Sequence, residues 1–591
     1  MEQLTRICAE VSSTVWGAPV LILLISSGAY FSLRTGFFQL RRFGCCLRST
    51  VFGAFSRENR RGDGAGVTQF QAMCSALAAT LGTGNIAGVA SAVAAGGAGA
   101  VFWLWASAVL GMMTGFAENV LGIFYRKKGA DGRWHGGAMR YIRDGLAERK
   151  LTAPLAKPLS VAYAALCMLA GLGMGCMAQM NSTAEALHTG FGVAPWITGV
   201  VGAACAAPVI FGGVKSVGRF AEKVVPLMAG FYLIGAVYIL AANAGELPRV
   251  FGAIMSQAFG LDAVGGGLFG SAVRNAVSVG FRRGVFSNEA GLGTSVAAHA
   301  ASSVKEPVVQ GMWSIFEVFF STIVICSLTA LTLLSSPCRT QSMEQALRSV
   351  SLETQYFSLS QDCGLIGAQT PAPVARVATP AAAVSVAQVA PVVNAAPAER
   401  TATCRTIWGG SFTVEFADGA PTYSNIFSVR GVQTLDENGA PVFIDDIPLI
   451  ETVEISPVNG VGLSERAFSQ SFGGAAGKLL AITVALFAFT TVVGWSGFGA
   501  EAARFLFGEK AVTPFRVAFL CFAVAGACAD LSVAWGVSDV LNGLMALPNL
   551  FTVLALSDRV LAVYRNYTAR VFRKERVEPL VSCAGGGNGS T

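Results

Sequence analysis

Residues 78–91, AATLGTGNIAGVAS, place Gly82, Gly84, Thr83 and Asn85 inside a long apolar run. An apolar helix gains nothing from two glycines, a hydroxyl and an amide near its middle. A helix that breaks around a ligand does. The break frees backbone N–H and C=O groups, which membrane interiors tolerate only where they line a cavity or protein. A freed helix N-terminus carries partial positive charge and suits a carboxylate. A competing use is helix packing, since Gly84 and Gly88 have small-xxx-small spacing. Packing alone leaves Thr83 and Asn85 unexplained.

A second polar stretch, RRGVFSNEAGLGTS, holds Gly284, Gly291, Arg282, Arg283 and Glu289. Charges within a membrane are costly and mark function by default. Arg282 and Arg283 can pair with Glu289 as a gate, or pair structurally. Glu118 and Glu317 are two more such acids. Glu118 reads as a packing carboxylate bonded to a neighbour, with proton coupling as its functional alternative.

The elements that must hold these groups follow from composition. The 591 residues are 53% hydrophobic and 13% charged, against about 25% charged in soluble domains. Runs of about 20 apolar residues cross a bilayer. Eleven spans are expected, near 14–37, 67–96, 98–125, 155–182, 192–212, 221–243, 265–300, 307–335, 473–506, 512–531 and 536–560. The chain reads as an all-α polytopic membrane protein with no nucleic-acid partner. The three His and 14 Cys have no zinc or dithiol spacing. No serine-hydrolase or paired-Asp constellation points to an enzyme.

Basic residues cluster after span 1 (Arg41, Arg42, Arg48), after span 3 (Arg126, Lys127, Lys128), after span 5 (Lys215, Arg219) and in the tail (Arg565, Arg570, Arg573). With eleven spans all four lie on one side. The positive-inside rule makes it cytoplasmic, with the N-terminus outside. Residues 336–468 contain no Lys and 13 Asp+Glu against 7 Arg. They are expected outside, as an Ala/Pro linker followed by a small β-rich appendage. One disulfide among Cys338, Cys363 and Cys404 is open there. The expected division is therefore 1–66, a first repeat at 67–243, a second at 265–335 and 473–560, the insert at 336–468, and a cytoplasmic tail at 561–591.

NIAGVASAVAA (85–95) and NEAGLGTSVAA (288–298) share Asn, Ala-Gly and Val-Ala-Ala at one offset of 203 residues. They open spans 2–6 and 7–11, which run in opposite directions. That is a 5+5 inverted repeat after one extra N-terminal helix, a plan common in secondary transporters.

The chain resembles the alanine or glycine:cation symporter family, the sodium:alanine symporters of leucine-transporter-like fold. GTGNIAGVA (82–90), GGAMRYI (136–142), FGGVKSVGRFAEKVVPLMAGFY (211–232), RRGVFSNEAGLGTSVAAHAAS (282–302) and GWSGFGAEAARFLFG (494–508) carry the resemblance. The insert and Thr294-Ser295 depart from it. The resemblance implies import of alanine or glycine with sodium, or sometimes protons, across a bacterial inner membrane.

The resemblance also implies a sodium site between the first broken helix and the third-last helix. Here that means the carbonyls of Ala78 and Leu81 and the hydroxyls of Thr490 and Thr491. Without it, the two threonines would be read as bonding back to carbonyls one turn earlier. For an amino acid, Thr83, Gly84 and Asn85 can serve the carboxylate, and Gln179 can serve either end. Phe286 and Trp495 are the expected pocket walls.

Overall fold

The computed structural model describes residues 11–12, 14–53, 66–130, 132–259, 268–336, 460–472, 474–529 and 531–582, with strands between 356 and 457. Outside those strands and one short hairpin, the elements are helical. Among the described residues, seven helices are long and apolar enough to cross a membrane, or eight if one pair bent by 62° counts as a span. That pair is α2 (Gln69–Thr80) and α3 (Ala87–Gly96). Two apolar helices, α1 (Ala18–Arg34) and α8 (Pro195–Phe211), have 17 residues each.

α2 begins with a capping box in which the Thr68 hydroxyl accepts from the Gln71 N–H and the Gln71 side chain accepts from the Thr68 N–H. That satisfies two of the donors a helix start leaves open. α2 ends where Leu81 and then Gly82 leave helical angles. α4 (Gly99–Phe124) follows, then a hairpin pairing Lys127–Lys128 with Trp134–His135, then the short α5 (Ala138–Ala147). Burial opposes ionisation of Asp144 on α5, but Lys127 at 2.7 Å and Arg143 hold its carboxyl below the usual range.

α6 (Ala153–Leu172) and α7 (Ala178–Phe191) join through a π-helical turn, Gly173–Met177. Together they make one 39-residue helix, well beyond the span expected at 155–182. α9 (Gly213–Ala242) starts at once after α8. Lys215 and Arg219 therefore lie on its first turns, not in a loop. α10 (Leu247–Phe259) is a half-apolar helix that hydropathy alone does not flag.

α11 (Leu268–Asn288) and the short α12 (Val296–Ala300) are the two parts of the expected seventh span. Between them Glu289, Gly291 and Gly293 have φ of 56°, 95° and 72°. Two of these three left-handed positions are glycines, which adopt such angles without a Cβ penalty, and Glu289 holds the third. Gly284 is not part of this break. It lies within α11, where a Cβ would come 1.9 Å from the Ser107 hydroxyl, so it is a packing glycine.

α13 (Pro307–Val318) and α14 (Ser327–Ser335) join through a π-helical stretch, Phe319–Cys326. α15 (Gly460–Phe472) precedes α16 (Gly474–Phe507), α17 (Val512–Cys528), α18 (Leu531–Ala555) and the amphipathic α19 (Ser557–Val571). α15 occupies the end of the segment expected to be β-rich. Earlier in that segment, strands from Gly364 to Pro421 form a five-stranded sheet, and Ile447–Pro457 anchors a four-stranded one. Cys338 and Cys363 lie outside the described residues, as does the side chain of Cys404.

Candidate functional site

The first break lies against α16. A Cβ at Gly494 on α16 would come 2.8 Å from the Ala79 backbone nitrogen. That bare position lets α16 approach α2 and brings Thr491, one turn earlier, to the open end of α2. A helix end leaves its last four carbonyls without partners in the helix. The Thr491 hydroxyl lies 3.1 Å from the Ala78 carbonyl oxygen and 3.4 Å from that of Leu81. It also lies 3.0 Å from Phe487 O in its own helix. The Thr490 hydroxyl donates to Phe487 O at 2.8 Å and faces the Met228 sulfur. Three of the four expected cation ligands therefore meet, while the Thr490 oxygen bonds back within its helix. All four residues are buried.

The substrate candidates divide in two. Gln179 reaches the break from α7. Its Oε1 accepts from the Thr83 N–H at 3.1 Å and from the Thr83 hydroxyl at 2.9 Å. Its amide donates to Met174 O in the π-helical turn at 3.2 Å, which fixes the orientation. Gly82 and Gly84 have no left-handed angle to explain them. Their role is space. A Cβ at Gly82 would meet the Thr491 Oγ1 at 2.6 Å and the Gln179 Oε1 at 2.9 Å, and one at Gly84 would meet the Phe286 ring at 2.8 Å. Gly88 has open space around it, so the small-xxx-small seam is not what these glycines form.

Asn85 donates from its amide to Ser321 O at 3.3 Å, and its own carbonyl accepts from the Thr329 hydroxyl at 3.0 Å. Its side-chain oxygen is buried without a hydrogen-bond partner. Such an atom costs about 1–3 kcal/mol, so it is a ready acceptor for an arriving N–H. Phe286 covers Gly84 and stacks on Trp535 of α18, with centroids 5.1 Å apart.

Trp495 takes another place. Its indole N–H donates to Glu289 Oε1 at 2.8 Å, and its stem lies against Gly175. It therefore serves the second break. Glu289 also accepts from the Thr294 hydroxyl at 2.5 Å. The gate pairing of Arg282 and Arg283 with Glu289 is thus replaced. Arg283 lies 3.7 Å from Asp539 on α18 and over the Phe286 and Trp535 rings. The left-handed Glu289 turns its carboxylate toward α16 instead.

The second break is tied down from three sides. Asn549 of α18 donates to Gly291 O at 2.9 Å and to Glu118, whose carboxylate also accepts from backbone near Gly291 and Gly293. Tyr163 of α6 donates to Leu292 O at 2.8 Å. Glu118 is thus bonded to a neighbour through Asn549.

Sequence reasoning missed Trp535, Asp539 and the Ser321–Thr322 pair. Asp539 carried a usable signal, an acid within an apolar span. The Ser321–Thr322 pair faces both breaks, because Asn288 donates to Thr322 Oγ1 at 3.2 Å while Asn85 reaches Ser321. Neither has a spacing signature.

A family model described as the sodium:alanine symporter family matches residues 1–370 and 446–581. The Sodium/alanine symporter AgcS of Methanococcus maripaludis is 33% identical over 552 residues, 93% of this chain and 94% of that protein. The Amino-acid carrier protein AlsT of Bacillus subtilis is 28% identical over 561 residues, 94% and 90% of the two chains. Among solved structures, an Eremococcus coleocola manganese transporter aligns with 86% of this chain and 81% of its own, at 12% identity and a TM-score of 0.43.

Proposed function

This chain belongs to the sodium:alanine symporter family, and from that premise we propose that it imports small neutral amino acids, alanine foremost, driven by sodium. The observation that carries the reading is the junction of Thr491 with the Ala78 and Leu81 carbonyls. Sodium is a hard cation and takes oxygen ligands, as the other hard cations do. These three oxygens are a partial set.

The amino acid is assigned to the same break. Its carboxylate takes the backbone N–H at Gly84, beside the Thr83 N–H that Gln179 already holds, and its ammonium takes the unpartnered Asn85 oxygen. Gln179 holds Thr83 in place. Phe286, backed by Trp535, limits the side chain to a methyl or a hydrogen.

The two broken helices support a 5+5 inverted repeat, with α2/α3 and α11/α12 as the first helix of each half. α1, α8 and α11/α12 then bring the crossings to eleven. Basic groups at one end support an orientation with the N-terminus outside and the tail in the cytoplasm of a bacterial inner membrane. The insert then lies outside.

The test is uptake of labelled alanine into proteoliposomes. An inward sodium gradient should drive accumulation above the equilibrium level. Accumulation in potassium alone, driven by an inward proton gradient, would favour the second reading, a proton-coupled carrier of the same fold.

A further inference from the structure

A cavity of about 430 Å³ opens at the basic end of the bundle, and none of its lining residues belongs to a helix break. It lies between the hairpin that follows α4, the junction of α8 with α9, and the start of α17. Arg133, Lys215, Arg504 and Arg516 line it, against one acid, Glu509.

The chain brings these cations together from three elements. Gly213 has φ of 71° and turns the chain from α8 into α9. A Cβ there would come 3.6 Å from the Arg516 Nη2. Arg516 therefore reaches from the second turn of α17 toward the start of α9, which carries Lys215. Arg133 joins them from the hairpin, one residue before Trp134.

The one acid is already spent. Glu509 accepts from Arg504 twice, at 2.5 and 3.1 Å. Glu501 also binds Arg504, and faces His135 at 3.2 Å. Among the described residues Arg516 makes no hydrogen bond or ion pair, and it lies within electrostatic reach of both Arg504 and Glu509. The indole N–H of Trp134, in the same wall, is buried without an acceptor. Like charges gathered in one cavity repel each other unless an anion joins them.

We propose that this cavity is a binding site for a phosphate group, carried by an anionic phospholipid or by a soluble phosphate.

The donors suit that group. A guanidinium meets phosphate with two parallel N–H bonds, and lysine adds a point charge. Val512 and Thr513 open α17 here without a side-chain cap, so its positive dipole end faces the same space. The flank of the cavity favours the lipid. Phe211 and Val214 line it and are exposed, and the exposed Val517 follows Arg516. Acyl chains would find apolar surface beside the cations, as they do at basic pockets between membrane helices. Setting orientation is the simpler use of such charges. That use needs cations at one end of the bundle and does not explain their convergence in one cavity.

The experiment is native mass spectrometry of the purified full chain, with phosphatidylglycerol and phosphatidylcholine supplied together. The parent should retain phosphatidylglycerol in preference. Each basic residue near a membrane surface is worth about fivefold in affinity for anionic lipid. Arg516→Gln should lower the preference by about that factor, and joint replacement of Arg133, Lys215 and Arg516 by Gln should lower it roughly a hundredfold. Lys150→Gln removes an exposed charge outside the cavity and should leave the preference unchanged.

The soluble arm adds potassium phosphate to lipid-free protein and compares its melting temperature with that in potassium chloride of equal ionic strength. A rise that Arg516→Gln abolishes, without any phosphatidylglycerol preference, upholds the phosphate site and assigns it to a soluble ligand. No preference and no rise in the parent overturns the proposal. A preference or rise that survives unchanged in the triple variant overturns it as well. If the triple variant is not recovered folded, Arg516→Gln decides alone, and parent-like behaviour in it overturns the site. None of these outcomes depends on which cation drives uptake.

Discussion

The Thr491 hydroxyl of α16 lies 3.1 Å from the carbonyl oxygen of Ala78 on α2, across 413 residues of sequence. The contact exists because α2 stops at Leu81, leaving carbonyls open, and because Gly494 lets α16 come close. The predictions below separate the parts of that junction.

The glycines of the first break should differ in tolerance. Gly82→Ala places a methyl against Thr491 and Gln179, and Gly84→Ala places one against Phe286. Both should lower alanine uptake at least tenfold at normal membrane expression. Gly88→Ala enters open space within α3 and should be neutral, or stabilising by up to about 1 kcal/mol from helix propensity. Uptake and thermal melting of the three variants check this. Equal loss in all three would mean that the glycines serve general packing.

Gln179→Leu leaves the Thr83 N–H and hydroxyl without their acceptor. An orphaned buried group costs about 1–3 kcal/mol, so alanine affinity should fall about five- to hundredfold. Gln179→Glu keeps an acceptor and should retain more affinity. Competition binding of labelled alanine distinguishes the two, and equal affinities would remove Gln179 from the site.

Much of the first break was legible in the sequence. Gly82-Thr83-Gly84-Asn85 within an apolar run has few uses other than a break, and Thr490-Thr491 stand out as paired hydroxyls on a buried span. The second break was harder. Gly284 and Gly291 look alike in sequence, yet one packs against Ser107 and the other turns the chain. Residue type does not distinguish the two uses. Arg282 and Arg283 are near Glu289 in sequence, but the left-handed turn at Glu289 sends its carboxylate to Trp495, and Arg283 finds Asp539 on α18. The helices Ala138–Ala147, Leu247–Phe259 and Ser557–Val571 are too short or too polar to register as spans.

The two expected pocket rings should now behave differently. Phe286→Leu opens space beside Gly84, and each extra methylene buried by a larger amino acid is worth about 0.8 kcal/mol. Valine and leucine should then compete several-fold better against labelled alanine. Trp495→Leu removes the donor to Glu289 and should reduce the rate without changing the ranking of competitors. An unchanged ranking in Phe286→Leu would place the pocket elsewhere.

The insert should be dispensable. Residues 371–445 fall outside the match to the family model, and in sequence they lie in the connection between α14 and α15 of the second proposed repeat, not within either helix. Replacing them with a short flexible linker should leave sodium-driven uptake within about twofold, because long surface insertions add little loop-closure cost. Loss of uptake in a correctly inserted deletion would show that the insert feeds or gates the site.

The most direct measurement is the linkage between sodium and alanine on the purified protein. If one break holds both, each ligand must raise the affinity of the other by the same factor. Labelled alanine should bind more tightly as sodium rises in the parent. In Thr491→Val, which keeps the shape and removes the oxygen, that dependence should collapse, and Thr490→Val should weaken it less. Alanine binding that ignores sodium in the parent, or a sodium dependence unchanged in Thr491→Val, would contradict the account.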